Sequence, residues 1–551
     1  MRISVYGFSG ANLALQPKAL PETVGVSCVN HYPARGDLRP WKQATTVATV
    51  PAGRASIYRF GRDVESDSTY WFSWTGTVHV VRGFLSSDAT ERTYYTGDGV
   101  PKVTDNTIAL ASSPYPTTAR TLGVPKPTVA PTLSQSSAGT GDDEDRYYLW
   151  TWVNDWGWES APSPPTKITC KPGAIIDITS LPAAPAGNYG ISARRIYRTQ
   201  TGTSGSAEFF FLREIISSAT STQDDARALG EALVTNGPAG ESGRDFGMPP
   251  SDLKHLTGLW NGMLAGISGR GVRYCEPYMG YAWPIAYETL PPDATPVALG
   301  VWSKNLLILT NARPYLVSGD APELLNEDPI DFEQSCIAPR SVQSMGGGVV
   351  WASPDGLCYY GSGGPRILTA GIMTQADWKA INPASIVGAQ FEGLYIGSYL
   401  DGSVRKGFVI DPLSPQGITF LSSGFTASYF DRLTDSLYLL NGTSVQKWNA
   451  SESLMTASFK SKVFRAPRPV NLGWMEVIAD AYPVAVSLKS SWIDAEGDPQ
   501  SVDEVRTVTS TAPFPLMGGF RATDFQIEVS TSVGGVQGIT AASTHEEIAA
   551  S

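Results

Sequence analysis

The sequence predicts an all-β protein whose second half consists of propeller-type blades. Only 17% of the 551 residues are charged, whereas 55 glycines and 40 prolines supply many turns. Short aromatic and β-branched runs separate those turns, as expected for short strands. Between residues 255 and 450, a unit of strand, turn and strand recurs about every 43 residues, which is a propeller period.

The repeat is aligned on the residue that follows the first turn of each copy. These residues are Met263, Leu306, Val349, Leu394 and Leu437, spaced 43 to 45 residues apart. A small sheet with two apolar faces can bury both of them only against neighbouring sheets, so we expect consecutive blades. The alternative is an ordinary all-β chain whose turns fall at similar intervals by chance.

Residues 1–126 are expected to add β-structure to the propeller. Tyr70–Trp74 and Val78–Val81 flank a glycine turn and predict a hairpin that resembles the repeated unit. Thr93–Tyr95 predicts another strand, and the prolines that follow Leu122 predict a linker.

Residues 127–240 predict an inserted β-sandwich of the immunoglobulin or fibronectin type. We expect its strands at Arg146–Val153, Ile175–Ile178, Arg194–Arg198 and Phe209–Leu212. Ser136–Asp145 before these strands and Gly237–Gly247 after them are polar or glycine-rich and predict hinges.

The blades then occupy residues 241–455, and residues 456–551 form a β-rich C-terminal segment that closes the propeller or a platform. Strands in that last segment are predicted at Phe459–Phe464, Trp474–Ala479, Val484–Trp492 and Phe525–Val529. The final eight or so residues are small and acidic and predict a short helix.

No residue pattern predicts a catalytic, metal or cofactor site. The five cysteines are scattered without a CxxC pair and indicate buried thiols in a reducing compartment. The four histidines lie far apart without zinc-ligand spacing. There is neither a GxxxxGK[ST] loop nor a GxSxG elbow. Gly346–Gly348 and Ser353–Gly356 are interpreted as repeat turns, although the second faintly resembles a sialidase Asp-box.

Four further groups of residues each have a structural and a functional interpretation. For the acidic run Asp142–Asp145 and for Asp224–Asp225, a solvated linker is favoured over calcium binding, because EF-hand spacing is missing. Arg194, Arg195 and Arg198 are expected on a solvent face of the sandwich rather than in a binding stripe. For four tryptophans, core packing with one exposed edge is favoured over sugar stacking; they are Trp150, Trp152, Trp156 and Trp158.

The formal net charge of −11 disfavours a tight grip on DNA, which needs basic patches, but it permits a passage through which DNA slides. There is no apolar run near 18 residues, so we expect no membrane span. The N-terminus lacks the pattern of a secretory signal.

Several segments, in order along nearly the whole chain, resemble the tail nozzle proteins of short-tailed bacteriophages, also called tail tubular protein B. They are Leu20–Glu22, Asn30, Gly36–Trp41, Glu91–Thr104, Asn154–Pro164, Asn261–Gly266, Ser353–Leu357 and Phe520–Val529. Each motif is structural and only moderately specific, so their order is the stronger indication.

The resemblance implies a homohexameric ring at the distal end of a virion tail, assembled in the cytoplasm of the host bacterium. Such a ring docks on the tail adaptor ring and carries fibres or spikes. It surrounds the channel through which the genome leaves, without sequence-specific DNA binding. The resemblance implies a structural protein that is not an enzyme and has no cofactor.

Two other functions remain open from the residues alone. One is a receptor- or glycan-binding tail adhesin, with the sandwich tryptophans as the contact. The other is a propeller glycosidase, which requires acidic residues and arginines clustered at the centre of the propeller.

Overall fold

The computed structural model describes residues 1–33, 36–61, 66–200, 208–225, 229–230 and 246–549. The chain forms two compact units. The first comprises Met1–Thr75, Leu309–Pro314 and Ile330–Ser551, and the second comprises Gly76–Ile308 and Tyr315–Pro329. Both units consist almost entirely of strands, which confirms the predicted all-β class.

The first unit contains consecutive antiparallel repeat sheets in which strands adjacent in sequence are paired. One sheet contains β27 (Gln343–Met345), β28 (Gly348–Ala352), β29 (Leu357–Gly361) and β30 (Gly364–Ile367). The next contains β31 (Val387–Phe391), β32 (Leu394–Asp401), β33 (Val404–Ile410) and β34 (Thr419–Leu421). A third contains β35 (Ala427–Asp431), β36 (Ser436–Asn441) and β37 (Ser444–Lys447), and β3 (Thr45–Thr49) from the start of the chain completes it. A two-stranded sheet of β4 (Ser56–Arg59) and β5 (Trp71–Trp74) packs against β35.

The second unit contains three more sheets of this kind. The first contains β6 (His79–Arg82), β7 (Thr93–Thr96), β8 (Lys102–Thr104) and β9 (Arg120–Thr121). The second contains β18 (Lys254–Gly258), β19 (Leu264–Ser268), β20 (Gly271–Tyr274) and β22 (Glu288–Thr289). The third contains β23 (Pro296–Trp302), β24 (Asn305–Thr310), β25 (Tyr315–Ser318) and β26 (Asn326–Pro329). A short pair, β17 (Phe246–Gly247) with β21 (Trp283–Pro284), lies beside them.

The predicted repeat is confirmed, because each aligned residue lies at the start of the second strand of a repeat sheet. Leu306 lies in β24, Val349 in β28 and Leu437 in β36, while Leu394 begins β32 and Met263 immediately precedes β19. These second strands are buried along nearly their whole length, on both faces. The sheets are therefore propeller-type blades that bury their faces against neighbours.

The predicted hairpin of Tyr70–Trp74 with Val78–Val81 is wrong. β5 pairs with β4, and β6 pairs with β7, so the glycine turn joins two different sheets. All four residues of β5 are buried, and the strand therefore lacks the alternation of a half-exposed hairpin arm. The strand predicted at Thr93–Tyr95 is confirmed as β7.

The inserted sandwich is confirmed, with two sheets in the second unit. One contains β10 (Thr132–Ser137), β13 (Ile175–Thr179) and β16 (Thr222–Asp224). The other contains β12 (Thr166–Cys170), β11 (Glu144–Asn154), β14 (Ile191–Gln200) and β15 (Glu208–Ile216).

The hinge predicted at Ser136–Asp145 is wrong, since this segment connects β10 to β11 inside the sandwich. Ser137 pairs with Ile175, so β10 already belongs to the domain. The hinge predicted at Gly237–Gly247 lies outside the described residues except for β17 at its end.

The C-terminal segment builds two sheets of the first unit. One contains β1 (Arg2–Tyr6), β45 (Val536–Ala542), β40 (Trp474–Ala479) and β43 (Phe514–Pro515). The other extends the β31–β34 sheet through β2 (Ser27–Val29), β38 (Ala457–Lys460), β44 (Ala522–Thr531), β41 (Val484–Ile493) and β42 (Pro499–Val508), with β39 (Phe464–Val470) paired to β44. One apolar core joins both sheets, and it contains Val5, Met475, Leu488, Phe525 and Ile539.

Most C-terminal strand predictions are confirmed, but the single strand predicted at Phe459–Phe464 is wrong. The chain leaves the sheet at Ser461, whose hydroxyl accepts a hydrogen bond from the Ile527 backbone at 3.0 Å. This side chain replaces a backbone partner, and β38 and β39 are therefore separate. The predicted terminal helix is present as α3 (His545–Ala549).

Helices are short in the described chain. α1 (Asn106–Ala109) begins after Asp105, whose carboxylate accepts from two backbone amides. α2 (Gln375–Ala380) begins with a capping box between Thr374 and Asp377. Single 3₁₀ turns occur at Pro322–Leu324, Pro339–Ser341 and Pro383–Ser385.

A buried ion pair joins two neighbouring repeat sheets of the first unit and gives a test of their packing. Arg59 Nη1 on β4 lies 3.1 Å from Asp431 Oδ2 on β35, and the side chains are 6% and 9% exposed. Asp431→Asn removes the carboxylate charge that faces the buried Arg59 guanidinium, so we expect the free energy of unfolding to fall by about 3–5 kcal/mol.

The matched control for that variant is Asp401→Asn. Asp401 pairs with Lys406 at 2.7 Å, but both side chains are about half exposed. We expect this change to cost about 0–1 kcal/mol. Equal losses in urea unfolding of the two variants would contradict a packing role for the Arg59–Asp431 pair.

Candidate functional site

The four sandwich tryptophans pack in the interior with one partly exposed ring, as predicted. Trp150, Trp152 and Trp158 are buried, and Trp156 is half-buried. The guanidinium of Arg120 covers the Trp156 ring at 4.2 Å from its centroid. The guanidinium of Arg92 lies 5.5 Å from the same centroid, so the partly exposed ring is already in contact with two cations.

Trp158 also attaches the sandwich to the repeat sheets of the second unit. Its ring lies nearly parallel to the ring of Tyr281 at 4.8 Å and to that of Tyr94 at 6.4 Å. Arg92 caps the cluster at 5.4 Å from the Trp158 ring. These aromatic contacts give the tryptophan a structural role.

The solvent-face prediction for the three arginines of β14 is wrong. Arg194 is 0% exposed and its guanidinium lies 4.5 Å from the centroid of the Trp152 ring. Arg198 donates to Asp224 at 2.6 Å, and only Arg195 is substantially exposed. The sandwich core supplies aromatic faces and a counter-charge for the other two, which makes their burial possible.

The two acidic runs differ in their surroundings. Asp142 and Asp143 are exposed, as a solvated segment predicts, while Asp145 pairs with Lys167 at 2.7 Å. Asp224 is instead fully buried and accepts from the Tyr148 hydroxyl at 2.6 Å, so the linker interpretation is wrong there. In the described part of the chain, no group of three or more His, Cys, Asp or Glu side chains is placed to hold a metal ion.

The two glycine-containing motifs are turns, as predicted. Gly346 and Gly347 connect β27 to β28, and Ser353–Gly356 connects β28 to β29. Asp355 accepts from the amides of Gln334 and Gln375, which fixes the turn rather than presenting a reactive carboxylate.

The thiols are buried and free, which agrees with their sequence interpretation. Burial raises the pKa of Cys28, Cys275, Cys336 and Cys358 to about 12, so these thiols stay protonated. Among the described residues, no helix is long and apolar enough to cross a membrane.

Two histidines, the buried His31 and the half-buried His255, make the stability of the protein sensitive to pH. Burial lowers the pKa of His31 to about 4. Burial, together with the neighbouring His79 and Lys254, lowers the pKa of His255 to about 3. The rings of His79 and His255 lie 4.3 Å apart.

We expect the free energy of unfolding to fall as the pH drops below about 6.5, because the unfolded chain then binds protons that the folded chain does not. Each of the two histidines contributes a slope that grows as the unfolded side chain becomes protonated and approaches about 1.4 kcal/mol per pH unit well below pH 6.5. Urea unfolding between pH 7 and pH 5.5 measures the slope. His31→Gln or His255→Gln should each reduce it, and an unchanged slope in both variants would contradict the assignment.

A cleft of about 510 Å³ lies between two neighbouring repeat sheets of the first unit. We call it the amide cleft. Its floor is apolar and contains Leu421, Phe425, Leu439, Trp448 and Met455. Its walls carry amide and hydroxyl groups from Asn30, Gln43, Ser422, Ser423, Asn441, Gln446 and Thr456.

Strand geometry aims two of these amides into the cleft. Leu439 and Gln446 are direct partners on β36 and β37, so their side chains share a face, and Asn441 shares it because it lies two residues after Leu439. The side-chain amides of Asn441 and Gln446 make no hydrogen bond to any described residue.

Asn30 holds the opposite wall in place. Its amide donates to the Thr456 carbonyl at 3.0 Å and to the Ser422 hydroxyl at 3.1 Å. Its oxygen accepts from the Ser422 backbone at 3.0 Å. Gln43 is tied to the Leu454 carbonyl at 3.2 Å. The cleft is therefore largely pre-formed.

A second cleft, of about 440 Å³, contains two carboxylates. Glu392 accepts from the Tyr32 hydroxyl, and Asp411 accepts from the Leu413 backbone at 2.8 Å. No arginine or lysine lines this cleft among the described residues. Its described lining therefore contains no cluster of acidic residues and arginines of the kind that the glycosidase hypothesis requires.

Sequence reasoning missed the amide cleft. Asn441 and Gln446 look like ordinary turn and strand residues, and Asn30 is more than 390 residues away from Ser422. The one pattern from which the cleft could have been predicted is the alternation along β36 and β37. It places the side chain of Asn441 on the same face as that of Leu439.

No protein-family model matches the chain, and no curated protein matches it either. Among solved structures, the Pan2 WD40 domain of Neurospora crassa is similar at 8% identity and a TM-score of 0.29, over 75% of this chain and 97% of that one. The extracellular domain of a hybrid two-component system from B. thetaiotaomicron is similar at 9% identity and a TM-score of 0.21, over 90% and 69%. An exo-beta-1,3-galactanase from Phanerochaete chrysosporium is similar at 10% identity and a TM-score of 0.17, over 66% and 100%. At TM-scores this low, none of these likenesses carries an inference about this chain.

Proposed function

We propose that this chain is a structural subunit of the tail nozzle of a short-tailed bacteriophage. Six copies form a ring at the distal end of the tail, dock on the adaptor ring and carry fibres or spikes. The genome leaves through the ring without sequence-specific contacts. The observation that carries the proposal is the ordered resemblance of segments from Leu20 to Val529 to such proteins.

The positions of the resembling segments support a structural role. Glu91–Thr104 contributes β7 and β8, and Phe520–Val529 contributes most of β44. Gly36–Trp41 pairs with the C-terminal sheet, where the Leu38 amide donates to the Val536 carbonyl at 2.8 Å. Related assembly proteins need the same framework. We therefore expect the segments that they share to be those that build the strands of the fold.

The charge of the chain supports a channel role. A formal charge of −11 per copy, repeated around a ring, repels a polyanion from the wall. DNA then passes without adhering. A basic lumen would instead retain the phosphate backbone.

Strand β42 supports assembly of several copies. It pairs with β41 over ten residues without a register shift, and its other edge meets no strand among the described residues. Ile493 and Val505 in this hairpin are 72% and 70% exposed. The charged residues of β42 discourage indiscriminate edge pairing, whereas a ring would cover such a long regular edge through one specific, repeated heterologous contact.

One observation favours a second candidate function. The amide cleft has the mixed apolar and amide lining of a small-molecule site. It favours a receptor- or glycan-binding role on the virion tail, with the repeat sheets rather than the sandwich as the contact.

Assembly is tested by the mass of the full-length chain in solution, alone and with the purified adaptor ring protein. We expect a particle of six 59.0-kDa chains, either alone or on the adaptor. Val505→Lys places a charge in the β42 edge and should shift the mass towards the monomer. Leu433→Lys, at a 63% exposed position in the turn before β36, is the matched control and should assemble normally. A monomer that ignores the adaptor would overturn the proposal.

A further inference from the structure

We propose that the amide cleft binds a neutral saccharide, with one pyranose ring seated on its apolar floor. The inference rests on the second candidate function above, for which it names the ligand class, and it does not depend on assembly into a ring, because every described residue of the cleft belongs to the first unit.

The charge of the lining selects the class of ligand. Among the described residues that line the cleft there is no Asp, Glu, Lys, Arg or His. A phosphate or carboxylate would enter without a counter-charge, and a cation would enter without an anion, so neutral amides and hydroxyls would replace the lost hydration of either ion only in part. The cleft therefore favours an uncharged ligand.

The polar groups of the walls match sugar hydroxyls. A side-chain amide offers both donors and an acceptor, and a hydroxyl both donates and accepts. Asn441 and Gln446 have their side-chain amides available, and Ser423 and Thr456 add hydroxyls. A ligand whose groups each donate and accept satisfies this set, while an apolar ligand leaves it unsatisfied.

The floor matches the apolar face of a pyranose. Phe425, Leu439 and Trp448 are packed in the core between two sheets and are only 3–5% exposed, so the floor consists of the narrow edges of side chains that the core holds in place. The cleft volume of about 510 Å³ lies in the range of about 300–1,000 Å³ that ligand sites occupy. Asn30 fixes Ser422 and Thr456 beforehand, so little conformational entropy is lost on binding.

Saturation-transfer NMR on the full-length chain tests the proposal, with the methyl pyranosides of glucose, galactose and mannose, N-acetylglucosamine, and their short oligomers as probes. We expect transfer to at least one neutral sugar and weaker transfer to the charged analogue glucuronate. Titration of the best sugar gives the dissociation constant.

Variants connect that binding to the cleft. Asn441→Ala and Gln446→Ala should each raise the dissociation constant at least tenfold, while thermal unfolding stays close to the parent. Thr443→Ala is the matched control, because Thr443 lies in the turn between β36 and β37 but does not line the cleft. It should bind like the parent.

Several results would overturn the proposal: no transfer from any sugar of the panel to the folded chain, tighter binding of glucuronate or of an uncharged nucleoside, or unchanged binding in both amide variants. A chain that assembles but binds no sugar refutes this inference alone. A chain that binds sugar but stays monomeric refutes only the nozzle proposal.

Discussion

Burial of both faces of each repeat sheet is the constraint on which this structure depends. β28 and β36 are apolar on both sides, so an isolated sheet would expose two hydrophobic surfaces to water. Each fully buried large apolar side chain contributes about 1.5–3 kcal/mol, and only a neighbouring sheet can cover it. The same constraint recruits β3 from the start of the chain, which pairs with β37 and completes a sheet formed 400 residues later.

The strand positions could be predicted from the sequence where a residue both follows a turn and begins an apolar run. Leu306, Val349 and Leu437 each follow a turn and begin an apolar run, and this combination survives in the structure as the start of a second strand. Prediction from the sequence failed at β42, whose residues Pro499–Val508 alternate only weakly and carry several charges. That strand exists because β41 offers a long partner, which is a non-local cause that no local pattern contains.

Burial of charge was the other property that sequence could not predict. Arg194 on β14 looks like a solvent-facing residue until the rings of Trp150 and Trp152 are placed next to its guanidinium. Asp224 looks like part of an exposed acidic pair until Tyr148 and Arg198 converge on it. In each case the partner is distant in the chain. The charged group can therefore be buried only once the sandwich has folded and the partner lies next to it.

The amide cleft follows from the same packing constraint. Leu421, Phe425, Leu439 and Trp448 belong both to the core between two repeat sheets and to the floor of the cleft. The cleft is therefore the place where this core reaches the surface, and its rigidity is inherited from the core. Changes at Asn441 or Gln446 alter only the rim, so the selectivity of the cleft can vary while the apolar contacts between the sheets stay intact.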